Sequence, residues 1–256
     1  MTADTEMMRV ERKGAITDVV LNRPAARNAL NLQMCQELAA IFDGFQSDKE
    51  TRAVVLRGEG DVFCAGADLR EREGRDEAWV IARRRASFRA YTAIEACPIP
   101  VVCAVQGAVV GSGGEISMAC DFVLAAASTY FVFPEPQWGT VGATQRLQRV
   151  IGVSRAKELL FTGRKMFADE ALGLGLVARI VEDEAIVKDV FETAETIAKA
   201  PALAMRLTKQ CIDQGNRTDL AGGIEIEMAA IRQVLSQSDW KAGVARFKSE
   251  VGNAGS

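Results

Sequence analysis

Two spacings of apolar residues alternate along this chain, and the alternation predicts its elements. Residues 8–12 and 15–21 read as short strands around a Lys13-Gly14 turn. Between residues 31 and 45 the period lengthens: Leu32, Cys35, Leu38, Ala39 and Phe42 fall on one helix face. Residues 53–57 form a compact strand that ends in the turn 58–61, and Val62-Phe63-Cys64 leads into Ala65-Gly66-Ala67-Asp68-Leu69. Residues 70–91, mixed and charged, read as a surface loop and a helix. Further strands are expected over 101–105, 122–126 and 130–133, and helices over 146–160 and 167–174. Strands alternating with helices argue for an α/β domain with βα crossovers.

After Val181 the pattern becomes helical, over 185–200, 201–215, 220–236 and 239–251. Ile224, Met228, Ile231 and Leu235 share one helix face there. Such a tail either packs on its own domain or supplies an oligomer contact. The division expected is a catalytic core over residues 1–195 and a helical oligomerisation region over 196–256. No repeat or low-complexity segment is evident.

At 256 residues, 48% hydrophobic and 25% charged, the chain suits one large soluble domain or one with a small appendage. A net charge of −3 gives no electrostatic footprint for nucleic acid or an anionic membrane. The first residues lack the pattern of a signal peptide, and no apolar run reaches membrane-spanning length, so a cytoplasmic location is expected. The six cysteines include no C-x-x-C pair and read as buried thiols; Cys64 borders a glycine turn. There is no histidine. That absence removes Ser-His and Cys-His nucleophiles and every His-ligated metal site. Acid–base chemistry must therefore fall to carboxylates, Lys, Tyr or Cys. No metal cluster is expected.

The stretch Gln106-Gly107-Ala108-Val109-Val110-Gly111-Ser112-Gly113-Gly114-Glu115 follows a buried strand and opens a buried helix. Bare N–H groups at such a helix start can hold an anion, or an oxygen that becomes negative during a reaction. Glu115, in the first helical turn, is either a proton carrier or a carboxylate paired with the helix dipole. The Cys64–Leu69 loop also follows a strand, and the two loops read either as a pair of oxyanion donors or as ordinary glycine turns. Glu135 sits between Pro134 and Pro136 near Phe133 and Trp138. It reads either as an acid with a raised pKa or as a loop carboxylate. Arg83-Arg84-Arg85 with Arg89 reads as a solvated helix face, and Asp121 and Arg146 as structural polar partners.

Taken in order, Asn22-Arg23-Pro24 with Asn28-Ala29-Leu30, Phe63–Leu69, Gly107 with Gly111–Glu115, Pro134-Glu135, Thr144–Leu147, Thr162-Gly163-Arg164 and Gly173–Val177 resemble the crotonase superfamily, most closely its enoyl-CoA hydratases. The resemblance runs from about Arg9 to Lys248. It implies a spiral of ββα turns, a C-terminal helical trimerisation region, and a homotrimer or dimer of trimers. It also implies an acyl-CoA substrate, with coenzyme A as part of that substrate and no separate cofactor. The thioester oxygen would be held by the amides of Ala65 and Ser112. Ala25, Ala26, Arg27, Ala67, Asp68, Leu69, Gly111, Trp138 and Phe247 would contact the rest of the ligand. Glu115 and Glu135 would be the catalytic acids, adding water across the 2,3 double bond of an enoyl thioester. The same fold also serves enoyl isomerisation, hydration of branched or aromatic acyl groups, and catalytically silent acyl-CoA binding. Three departures from the hydratase pattern stand out: Ser112 at the second donor, a shortened loop after Trp138, and Lys248 directly beside Phe247.

Overall fold

A spiral generates this architecture: successive segments of chain each give a strand to one large sheet, a shorter stretch to a second layer, and then a helix. In a computed structural model, described over residues 3–4, 7–238, 240, 241 and 243, the chain divides into two compact units, Met1–Lys199 and Ala200–Ser256.

The large sheet of the first unit contains β1 (Ala3–Asp4), β2 (Met8–Lys13), β3 (Ile16–Leu21), β4 (Ala53–Gly58), β5 (Val101–Val105), β7 (Phe122–Ala126) and β10 (Arg179–Val181), in that order across the sheet. β1, β2 and β3 pair antiparallel; every later pairing is parallel. Strands this apolar belong in a parallel sheet covered on both faces, and alternate residues show it. Val54, Leu56, Val101, Cys103, Val105, Val123 and Ala125 face the main core. Ala53, Val55, Val102, Ala104, Leu124 and Ala126 face a second core closed by Ile186, Val190 and Ala194 of α7 (Ile186–Ala198).

The second layer holds β6 (Ala108–Val110), β8 (Tyr130–Val132) and β9 (Met166–Phe167). Single bridges, Leu30 to Ala67 and Cys64 to Val109, extend it backwards along the chain. The helices that complete the turns are α1 (Leu32–Gly44), α2 (Glu77–Glu95), α3 (Ser112–Ala119), α4 (Thr144–Ile151), α5 (Val153–Thr162) and α6 (Ala168–Gly173).

Two sequence expectations need correcting, and one strand, β10, had none. The helix expected over 146–160 is two helices, because Gly152 at φ 85° breaks it between α4 and α5. The glycine-rich stretch after β5 is not all loop: β6 lies inside it, stabilised by pairing with β8. β10 has no amphipathic signature; its place is fixed by parallel pairing with β7. In the second unit, α8 (Ala202–Gly215) packs on α9 (Leu220–Gln237). The expected helix over 239–251 lies largely outside the described residues. No described helix is long and apolar enough to cross a membrane.

Candidate active site

A small cleft in the first unit is lined by Gly66, Ala67, Leu69, Arg72, Arg84, Val110, Gly111, Ser112, Pro134, Glu135, Trp138 and Thr140. Ser112 is the first residue of α3, whose N-cap, Gly111, offers no side-chain acceptor. The first N–H groups of a helix have no intrahelical partner, so α3 presents uncapped amides to the cleft.

The other expected donor is not where the sequence placed it. The Ala65 N–H donates to Arg27 O at 3.0 Å, and Ala65 does not line the cleft. Leu30 N–H donates to Gly66 O at 2.8 Å and Asp68 N–H to Leu30 O at 2.9 Å, zipping this loop to the 27–30 segment. Gly66, at φ 96°, takes part in that pairing through its carbonyl. The amide that follows, Ala67, meets no acceptor among the described residues and borders the same cleft as Ser112. The amides of Ala67 and Ser112 thus both border the cleft with no acceptor among the described residues.

Glu135 lines the cleft, and its carboxyl is buried. A Cβ on Gly111 would stand 2.7 Å from Glu135 Oε1, and one on Gly142 would stand 2.8 Å from both Cγ and Oε1. Only glycine at both positions leaves the carboxyl its room. Its Oε2 is buried without a protein hydrogen-bond partner among the described residues. Burial, then the nearby charge of Glu115, raises the pKa of Glu135, with Arg84 pulling weakly the other way.

Glu115 is also buried, but both its oxygens are engaged: Ala143 N–H donates to Oε1 at 2.8 Å, and Arg146 Nη1 to Oε2 at 3.0 Å. It is absent from the residues that line the cleft. Arg146 also bonds Glu95 at 2.8 Å and lies over the Tyr91 ring at 5.3 Å. The two acids nonetheless converge, because consecutive residues touch them: Gly142 abuts Glu135, and Ala143 holds Glu115. The shortened loop after Trp138 makes that contact, with Ala143 held at φ 55°.

Among the remaining expected ligand contacts, Pro24–Ala26 form a single helical turn ending at Arg27, φ 52°. The Arg27 carbonyl, which accepts from the Ala65 N–H, ties this turn to the 65–69 loop. Asp68 turns its carboxylate inward, onto Arg23 at 3.2 Å and Arg70 at 3.1 Å. Burial opposes its ionisation, but the bonds from Arg70 and Arg23 outweigh it and hold the carboxyl below its ordinary range. Trp138 borders the cleft and is largely exposed. Phe247, like Lys248, lies outside the described residues. Burial pushes the Cys64 thiol up to about 12, and its Sγ points at Gly66 O, so it is no nucleophile.

The basic run on α2 is not one solvated face. Arg83 is buried and bonds Glu71, Ser87 and Leu30 O, Arg89 pairs with Asp43 on the surface, and Arg84 reaches the cleft. The spacing of Arg83, Ser87 and Tyr91, four residues apart, was the available signal for the buried face. No metal-holding group of side chains occurs among the described residues.

These features coincide with a known family. The profile described as enoyl-CoA hydratase/isomerase matches residues 11–252. A short-chain-enoyl-CoA hydratase from Clostridium acetobutylicum is 34% identical over 245 residues, covering 93% of each chain. The crystal structure of an enoyl-CoA hydratase from Bacillus anthracis superposes with a TM-score of 0.92 at 36% identity, covering 95% of this chain and 96% of that one. A Thermobifida fusca protein solved in complex with acetoacetyl-CoA aligns with a TM-score of 0.82 at 28% identity, over 90% of this chain and 95% of that one. The chain belongs to the enoyl-CoA hydratase/isomerase family, and its fold is the crotonase fold.

Proposed function

We propose that the chain hydrates 2-enoyl-CoA thioesters to 3-hydroxyacyl-CoA. The observation that carries this is the placement of two buried acids against adjacent residues, Gly142 and Ala143, beside the Ala67 and Ser112 amides. The thioester oxygen accepts both amide N–H groups, which stabilise the enolate formed when a hydroxyl adds to Cβ. The oxygen comes from water, whose proton passes to Glu115; each Glu115 oxygen keeps a lone pair beyond its bond to Ala143 or Arg146. Glu135, whose burial favours the protonated carboxyl, gives its proton to Cα. One proton is taken and one given, so exchange between the acids and solvent resets the site. Coenzyme A lies along the turn 25–27 and the loop 67–69.

Isomerisation of 3-enoyl to 2-enoyl thioesters needs one acid that takes a proton and returns it elsewhere. The fact that favours this second reading is that Glu135 alone borders the cleft. The two readings part at Glu115. Glu115→Gln is expected to lower kcat for hydration of crotonyl-CoA by about 10²-fold, read as retention of the enoyl absorbance. If hydration survives that change while a 3-enoyl substrate still gains the absorbance, isomerisation is the activity.

We also propose that α9 joins copies of the chain into a trimer or a pair of trimers. Leu220, Ile224, Met228, Ile231 and Leu235 are exposed along it, an apolar stripe out of place on a solvated helix. The expected result is that Ile231→Glu shifts the mass measured by light scattering from an oligomer towards the monomer. An unchanged mass removes α9 from the contact.

A further inference from the structure

Arg72 and Arg84 both line the cleft that holds Glu135. Neither makes an ion pair among the described residues, and Glu71, the acid just before Arg72, is engaged by Arg83 at 2.6 Å. Arg84 Nη2 donates to Val141 O at 3.0 Å, and its guanidinium lies 5.9 Å from the Phe88 ring. Arg72 Nε is buried without a hydrogen-bond acceptor among the described residues. Burial and the charges of Arg84 and Arg83 work against the Arg72 cation. Two partly buried cations of one sign in one cleft destabilise each other and the fold unless an anion joins them. Guanidinium is also the side chain best shaped to grip a carboxylate with paired N–H groups.

The position of the pair selects between possible anions. The Ala67 and Ser112 amides fix where the thioester carbonyl lies, and Glu135 marks the reacting carbons. Arg84 acts on the charge of Glu135 and bonds the 139–143 loop that follows it. Arg84 therefore stands on the acyl side of the carbonyl, whereas coenzyme A is assigned above to the turn 25–27 and the loop 67–69. We propose that Arg84 and Arg72 receive a carboxylate carried on the acyl chain beyond the double bond, so that the preferred substrates are enoyl-CoA thioesters of dicarboxylic acids. This rests on the acyl-CoA reading of the cleft above. It also couples specificity to chemistry: a substrate carboxylate offsets the pull of Arg84 on Glu135, which then keeps its proton more firmly for transfer to Cα.

Binding without turnover tests it. Calorimetry would compare glutaryl-CoA with butyryl-CoA, which differ by the terminal carboxylate, on the unaltered protein, Arg84→Gln and Arg72→Gln. The expected result is that the unaltered protein binds glutaryl-CoA about tenfold more tightly or better. That ratio should collapse towards one in Arg84→Gln and fall in Arg72→Gln. Equal affinity for the two esters on the unaltered protein overturns the proposal with no variant needed. Loss of affinity for both esters by the same factor in Arg84→Gln also overturns it, and assigns the arginines to the phosphates. Turnover of glutaconyl-CoA and crotonyl-CoA is scored separately: an intact binding ratio without hydration of either leaves the carboxylate site standing and sinks the hydratase reading.

Discussion

Replacing Glu135 by glutamine is expected to lower kcat for hydration of crotonyl-CoA by about 10³-fold, with little change in KM. The amide is isosteric, so the space that Gly111 and Gly142 leave for the side chain stays filled. The proton is what goes. Because the change removes a group that acts in the transition state, acyl-CoA affinity should persist, and steady-state kinetics beside calorimetry checks both. A near-normal kcat would remove Glu135 from the chemistry.

The same carboxyl predicts a pH dependence. Burial first, and Glu115 second, raises its folded-state pKa above that of the unfolded chain. A carboxyl raised in this way binds its proton more tightly when folded. Its contribution to stability is therefore whole below the ordinary carboxylate range and is lost as pH rises through the raised value. Hydration, which needs the protonated acid, should fall over that same interval. Glu135→Gln cannot ionise, so it should gain stability relative to the parent as pH rises from acid towards neutrality. Denaturant melts at several pH values check the sign; an unchanged difference would mean that Glu135 is not buried as described.

Much of this site was legible because close packing leaves a compositional trace. The run Gly111-Ser112-Gly113-Gly114 is glycine-rich for steric reasons: a Cβ on Gly113 would stand 2.8 Å from Cys64 O, and one on Gly114 would stand 2.5 Å from the Phe133 ring. Helix α3 can lie against its neighbours only there, so the motif marks the amide site. The strands were legible for a similar reason, since a doubly covered parallel sheet demands unbroken β-branched runs such as Val101-Val102. What failed to show was anything set by partners distant in sequence. Ala65 and Ala67 are the same residue type two apart, and only pairing with the 27–30 segment decides which amide is spent. Arg83, Arg84 and Arg85 look alike in sequence, yet one is buried on Glu71 and one reaches the cleft. β10, with no pattern of its own, is specified by β7.

Arg146 shows the same dependence on distant partners, and its loss is expected to be the largest blow to stability. Its guanidinium joins Glu115 at 3.0 Å and Glu95 at 2.8 Å and covers the Tyr91 ring. The Glu115 side chain is only 6% exposed, and that of Arg146 18%, so solvent screens this pair little. Removing one partner of a buried ion pair leaves the other uncompensated, at a cost of about 3 kcal/mol. Arg146→Met keeps most of the apolar stem and so isolates the charge. It should unfold at lower denaturant by that amount and lose hydration along with the fixed orientation of Glu115. Pairing it with Glu115→Gln separates the two effects: if the charge of Glu115 is what Arg146 offsets, the double variant should recover most of the lost stability and none of the activity. Additive losses would instead assign the role of Arg146 to Glu95 and Tyr91, and leave Glu115 held by the Ala143 amide alone.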